Sequence, residues 1–267
     1  MPMNTLGVDI HEVSRSIEIV AGRLAVMVRG ISDLDVPTKG LDWSIRETAS
    51  HVAAAAELNT GILKGTVEPH AVADIAAINS EGLTRVDPGS PGELANGIFR
   101  AAEGLTAAAR SHPAGQPVRW VDGVEQDAGT VLAAVLGEFL VHGFDIARSV
   151  GQSWDIRKQH AAQVLAGTAP AMPLFVHREN AAGFNGSYDV RVRGGVRFVA
   201  RFNDGVLTIE SPGPKGADCY LWADPVAMLL VFYGRVNQWG QVARGKMLSW
   251  GRKPWLGLKF KSLIIDP

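Results

Sequence analysis

Residues 128–150 read Ala-Gly-Thr-Val-Leu-Ala-Ala-Val-Leu-Gly-Glu-Phe-Leu-Val-His-Gly-Phe-Asp-Ile-Ala-Arg-Ser-Val. Their spacing decides the fold of the first half of the chain. Val131, Val135, Glu138, His142 and Asp145 fall on one narrow stripe at 100° per residue, so this is a helix whose apolar stripe also carries three ionisable groups. Gly151 stops it. Working outward, three more segments show the same three- and four-residue step. Residues 8–29 place Ile10, Val13, Ile17, Val20 and Leu24 on one stripe and end at Gly30. Residues 43–63 begin with the capping stretch Asp42-Trp43-Ser44 and end before Gly65. Residues 92–111 end before Pro113. A Pro- and Gly-punctuated connection, residues 65–91, joins the second helix to the third and has room for a short helix near residues 71–79. Four helices of about 20 residues with one long crossover predict a four-helix bundle.

The pattern changes near residue 185. After a further helical stretch at residues 157–166, apolar side chains alternate and Gly becomes denser. Residues 188–192, 196–202 and 206–209 read as strands joined by Gly194-Gly195 and Asn203-Asp204-Gly205 turns, and residues 217–222 and 247–250 as two more. Asp224-Pro225 opens a helix through Tyr233, and residues 254–260 read as a last one. The expected architecture is two-domain: an all-α four-helix bundle over residues 1–155, a helical linker over 156–184, and a small α+β domain with a mainly antiparallel sheet over 185–267.

Composition agrees with two folded domains. Of 267 residues, 46% are hydrophobic and 20% charged, which excludes a disordered chain. Twenty-six basic and 27 acidic residues leave a formal charge of −1, without the basic footprint of a nucleic-acid binder. One cysteine, Cys219, excludes a disulfide framework and fits a reducing compartment. The N-terminus lacks the apolar core of a signal peptide, and no eighteen apolar residues run together. The expectation is a cytoplasmic protein with neither nucleic acid nor membrane as partner.

The candidate chemistry lies on the helices. Glu138 and His142, four residues apart, stack on adjacent turns of the inward face. His51 aligns with Ala55, Leu58 and Ile62 on the second helix, again the side expected to be buried. With 27 acids and seven histidines in 267 residues, an acid-x-x-x-His pair is expected about 0.7 times by chance; the inward placement is the signal. A buried carboxylate is destabilising unless paired or metal-bound. Two imidazoles and one carboxylate form a three-donor set used by zinc and by non-haem ferrous iron. Cys219, in an alternating strand, reads as a packed structural thiol. His70, His112, His160 and His177 fall in loops or near helix ends, where surface histidine is expected. Trp222, Trp239, Trp250 and Trp255 cluster late and are expected to fill the second core.

Trp43-Ser44-Ile45-Arg46-Glu47-Thr48-Ala49-Ser50-His51 resembles the Trp-Ser/Thr…His signature of DinB-like metal-binding bundles. Leu136 to Arg148, with Glu138, His142 and Asp145, resembles the Glu-x-x-x-His-x-x-Asp signature of their last helix. Together they resemble the mycothiol-dependent maleylpyruvate isomerase family, which joins a DinB-like bundle to a domain similar to the sterol-carrier-protein type 2 fold. Ala223-Asp224-Pro225, Tyr233-Gly234-Arg235-Val236 and residues 245–251 fall in the order of that second fold. The resemblance implies a divalent metal, zinc first, held by His51, Glu138 and His142. It also implies mycothiol, whose thiol the metal would activate for isomerisation or thiol transfer on a small electrophile. Asp145 is then an acceptor behind His142 or a polar group for the cofactor; the alternative is a buried helix-end carboxylate bonded to a neighbouring helix. Arg235 fits either a clamp on an anionic substrate or a surface arginine at a helix end. The competing function is a lipid or hydrophobic-ligand carrier with a non-catalytic bundle, and inward polar groups on the bundle axis speak against it.

Overall fold

Local capping explains where the long helices begin. Helix α1 (Ile10–Arg29) starts where the Asp9 carboxylate accepts the Glu12 backbone N–H. Helix α2 (Ile45–Leu63) and helix α3 (Pro91–Ser111) both start with capping boxes, Ser44 with Glu47 and Ser90 with Glu93. Helix α4 (Ala128–Ser149) is capped by Asp127. The structure, a computed structural model, describes residues 8–75, 77–79 and 89–265. Residues 1–7 and 80–88, the latter within the expected long connection, lie outside the described residues. The short helix expected near residues 71–79 is a 3₁₀ turn, Val72–Asp74, running into helical residues 75 and 77–79.

The chain divides into two compact units, Val8–Ile156 and the residues from Arg157 onward. In the first, α1 and α2 each pack against both α3 and α4, closing a four-helix ring. The α1 stripe is its core face: Val13, Ile17, Val20 and Leu24 are fully buried. Helix α4 is buried on nearly every side. It is the one described helix long and apolar enough to cross a membrane, and within the bundle that hydropathy is accounted for by burial. Between α3 and α4 lies a hairpin of two-residue strands, β1 (Val118–Arg119) and β2 (Glu125–Gln126).

The second unit carries a five-stranded sheet of β3 (Gly186–Val192), β4 (Arg197–Asn203), β5 (Val206–Glu210), β6 (Cys219–Ala223) and β7 (Met247–Trp250). Their order is β5-β4-β3-β6-β7, with β3 and β6 parallel and every other pair antiparallel. The β4–β5 hairpin turns through Asp204 and Gly205, both at positive φ, as a two-residue loop of this twist requires. Helix α5 (Lys158–Thr168), from the segment expected as a linker, packs against helix α6 (Pro225–Phe232) inside this unit. Asp224 caps α6 as its sequence predicts.

Two expectations are overturned here. His160 is buried, because α5 turns the face bearing His160, Ala161 and Val164 inward. The late tryptophans do not fill the core. Tyr188, Phe198, Phe202 and Phe260 fill it, whereas Trp239, Trp250 and Trp255 are exposed and Trp222 is half-buried. Trp250 and Leu248 alternate onto the face of β7 turned away from the core, and β7 is an edge strand.

Candidate metal centre

The helical unit brings together the three side chains that the sequence singles out. One oxygen of Glu138, Oε2, lies 3.3 Å from His51 Nε2 and 3.2 Å from His142 Nε2. All three donor atoms fall within 4.8 Å of one another. Two of them ride on α4, one turn apart, a placement set by helix geometry alone. The third comes from α2, which packs on α4. The capping box at Ser44 fixes where α2 begins and therefore the level at which His51 meets α4. His51, Ala55 and Leu58 are half-buried rather than core; Val52, Ala56 and Ile45 form the buried face of α2. The His51 stripe thus borders the site, and Glu138, with 22% of its side chain exposed, is its most accessible member.

Behind the donors stand groups that orient them. Asp145, 1% exposed, places Oδ2 3.4 Å from His142 Nδ1. A carboxylate on Nδ1 favours the tautomer with its proton there, leaving Nε2 as the free donor. Asp145 also lies one turn past His142, on the expected face. The Trp43 ring packs 4.9 Å from the His51 ring and 6.1 Å from the His142 ring, and the imidazoles meet edge to face at 5.1 Å. Trp43 precedes the helix cap, and its carbonyl accepts the Thr38 N–H at 2.7 Å. The indole is therefore held as an apolar wall over both histidines.

One contributor had not been expected. A β-carbon on Gly143 would meet the Trp154 ring at 2.2 Å. Trp154 packs on α4 at Gly143, the residue after His142, donating its indole N–H to the Leu140 carbonyl at 2.9 Å under the Arg23 guanidinium. The available signal was a glycine inside a helix of large apolar residues, which marks a close approach.

The electrostatics follow from burial and partners. Burial alone would raise the Glu138 pKa, but hydrogen bonds and charge from His142 and His51 outweigh it and hold the carboxyl well below the carboxylate range. Burial opposes the His142 cation, yet Asp145 and Glu138 outweigh it and raise the imidazole pKa. The pocket thus concentrates two carboxylates around two imidazoles, a donor set that gains from a cation. Ligand atoms about 2.1 Å from a common tetrahedral centre lie about 3.4 Å apart, close to the Glu138–histidine separations. The residues fit a divalent metal.

Two further residues singled out by the sequence belong to the second unit. Arg235 is in the second unit after α6, with Nη1 donating to the Tyr233 carbonyl at 2.6 Å. Cys219 is fully buried, and burial pushes its thiol up to about 11.

A three-donor, two-histidine and one-carboxylate centre inside a four-helix bundle defines the class of the helical unit. Residues 18–147 match the family model described as mycothiol maleylpyruvate isomerase N-terminal domain. The match lies within the helical unit and spans just under half of the chain. No curated protein sequence matches the chain. Among solved structures it is similar to two crystal structures of the mycothiol-dependent maleylpyruvate isomerase, one of them a His-to-Ala mutant. The likeness covers 91% of this chain and 93% of each of those, at 14% identity with a TM-score of 0.55 and, for the mutant, 13% with 0.56. At that identity the likeness establishes the fold, a helical bundle followed by a domain with a mainly antiparallel sheet, as expected.

Proposed function

We propose that this chain is a metal-dependent enzyme that uses a low-molecular-weight thiol, mycothiol, to isomerise or transfer onto a small electrophilic substrate. The observation that carries this reading is the convergence of His51 Nε2, His142 Nε2 and Glu138 Oε2 on one point. The match of the helical unit to the mycothiol maleylpyruvate isomerase N-terminal model supports the thiol. A divalent metal, zinc first, would supply Lewis acidity there, lowering the pKa of a thiol so that thiolate is present at neutral pH. The chain's own residues do the rest. His51, Glu138 and His142 are the proposed ligands, and three protein donors leave a position for an incoming thiol. Asp145 fixes the His142 tautomer and turns Nε2 toward the site. Trp43 keeps one side of the site apolar, which strengthens charge interactions inside it. Arg235 is a proposed carboxylate clamp for an anionic substrate.

Metal analysis of protein purified without chelator tests the reading. One divalent ion per chain, lost in His51→Ala and in Glu138→Gln while helical circular dichroism is retained, is the expected result. Mycothiol should then bind only the metal-loaded protein. A metal-free wild type that takes up no zinc on titration would overturn the assignment.

A further inference from the structure

The formal charge of −1 is the sum of two opposed halves. Residues 1–156 contain 11 Lys and Arg against 20 Asp and Glu, and residues 157–267 contain 15 against 7. The near-neutral total describes neither half. Within the basic half, residues 225–265 contain seven Lys and Arg and no Asp or Glu. The same stretch holds six of the seven large apolar side chains that the described part of this unit exposes.

The exposed groups are gathered along one edge of the sheet. Helix α7 (Gln238–Ala243) packs against the edge strand β7 and sets Trp239 and Val242 three residues apart, on one helical face. Strand β7 sets Leu248 and Trp250 two apart on its outer face. Trp239 is 56% exposed, Trp250 41%, and Trp255, just beyond β7, 63%. Exposed Arg244 and Lys246 sit on the connection between α7 and β7, and Arg252 and Lys253 follow Trp250. Trp250 stacks on Tyr220 with ring centroids 5.7 Å apart, and the Arg191 guanidinium lies over both rings. Two carboxylates of the sheet lie near, each already held by two cations: Asp218, just before β6, by Arg252 and Lys253, and Asp189 on β3 by Arg191 and Arg197.

We propose, against the expectation from composition that no membrane is a partner, that this α7–β7 edge docks on an anionic phospholipid surface. Indole side chains are favoured at headgroup depth, exposed Leu and Val enter the acyl boundary, and interleaved Lys and Arg are drawn to anionic headgroups. A single-stranded nucleic acid would meet the same cations. Of this edge only Trp239 and Trp255 offer open rings for a base; Leu248 and Val242 offer none, and the Trp250 ring is already stacked. A second copy of the edge would set basic groups against basic groups.

Co-sedimentation of the full chain with phosphatidylcholine vesicles containing a quarter phosphatidylglycerol tests the proposal. Binding is expected to these vesicles at low salt, and to fall both in 0.5 M NaCl and with pure phosphatidylcholine. Each cation near such a surface contributes about fivefold in affinity, so Arg244→Gln with Lys246→Gln should lower binding roughly thirtyfold. Trp239→Ala with Leu248→Asn should lower it also at fixed charge. All four side chains are partly or fully exposed, so the fold should survive, checked by circular dichroism. Neutralising Arg15 and Arg100 on the helical unit should change nothing. The proposal is overturned if the wild type does not bind anionic vesicles, or if both edge variants bind as well as the wild type. It also fails if the edge instead binds a single-stranded oligonucleotide, or forms a concentration-dependent dimer, with no vesicle binding.

Discussion

The Trp154 indole occupies the space that a β-carbon on Gly143 would need, 2.2 Å from the nearest ring atom, on the helix turn that carries His142. Gly143→Ala gains helix propensity of about 1 kcal/mol but forces a ring that cannot bend out of the way, at about 1–3 kcal/mol. The variant should unfold several degrees lower in a thermal melt. Gly104→Ala on α3, where an added β-carbon meets nothing within 4 Å, should gain stability instead. A rise in melting temperature for Gly143→Ala would show that Trp154 is not packed against the helix.

The Asp145 carboxylate faces His142 Nδ1 at 3.4 Å, the side of the ring away from Glu138. Asp145→Asn keeps the volume and removes the charge, so zinc affinity should fall about ten- to a hundredfold with little loss of fold. Competition with a chromogenic chelator measures this. Unchanged affinity would make Asp145 a structural carboxylate of the helix end.

Acid should weaken the second unit through Asp189. This carboxylate, 4% exposed, accepts two hydrogen bonds each from Arg191 and Arg197. Burial would raise its pKa, but those bonds win and hold it below the ordinary value of 3.8. A folded pKa below the unfolded one means stability present above the unfolded value and lost as pH falls through the folded one. Asp189→Asn should therefore cost about 1–2 kcal/mol in urea at pH 7. It should also flatten the loss of stability below pH 4. Parallel pH profiles for the two proteins would contradict this role.

Cys219 should be inert. Its thiol is buried and shifted up to about 11, so at pH 7.5 it is neither reachable nor ionised. Native protein should give no fast reaction with a disulfide reagent and one thiol per chain in denaturant. A rapidly titrating thiol in the native state would reopen Cys219 as a nucleophile.

The helix limits were legible because their causes are local. Ser44 with Glu47 and Asp224 with Pro225 mark their helix starts within four residues of chain. The two-residue strands β1 and β2 were missed because two residues carry no periodicity. Helix α7 was missed for a similar reason: six residues, none of them buried, are too few to establish a helical period.

By itself the sequence determined the bundle, the alternating second half and the Glu138–His142 pair, since a 100° step stacks residues four apart wherever a helix forms. Only the tertiary structure decided that His51 arrives at the same carboxylate oxygen, because that depends on how α2 lies against α4. It likewise decided that Trp154 fills the gap at Gly143, and that Trp239, Trp250 and Trp255 face outward. A hydrophobic side chain records what it would gain from burial. Whether another element is there to cover it depends on where the rest of the chain packs.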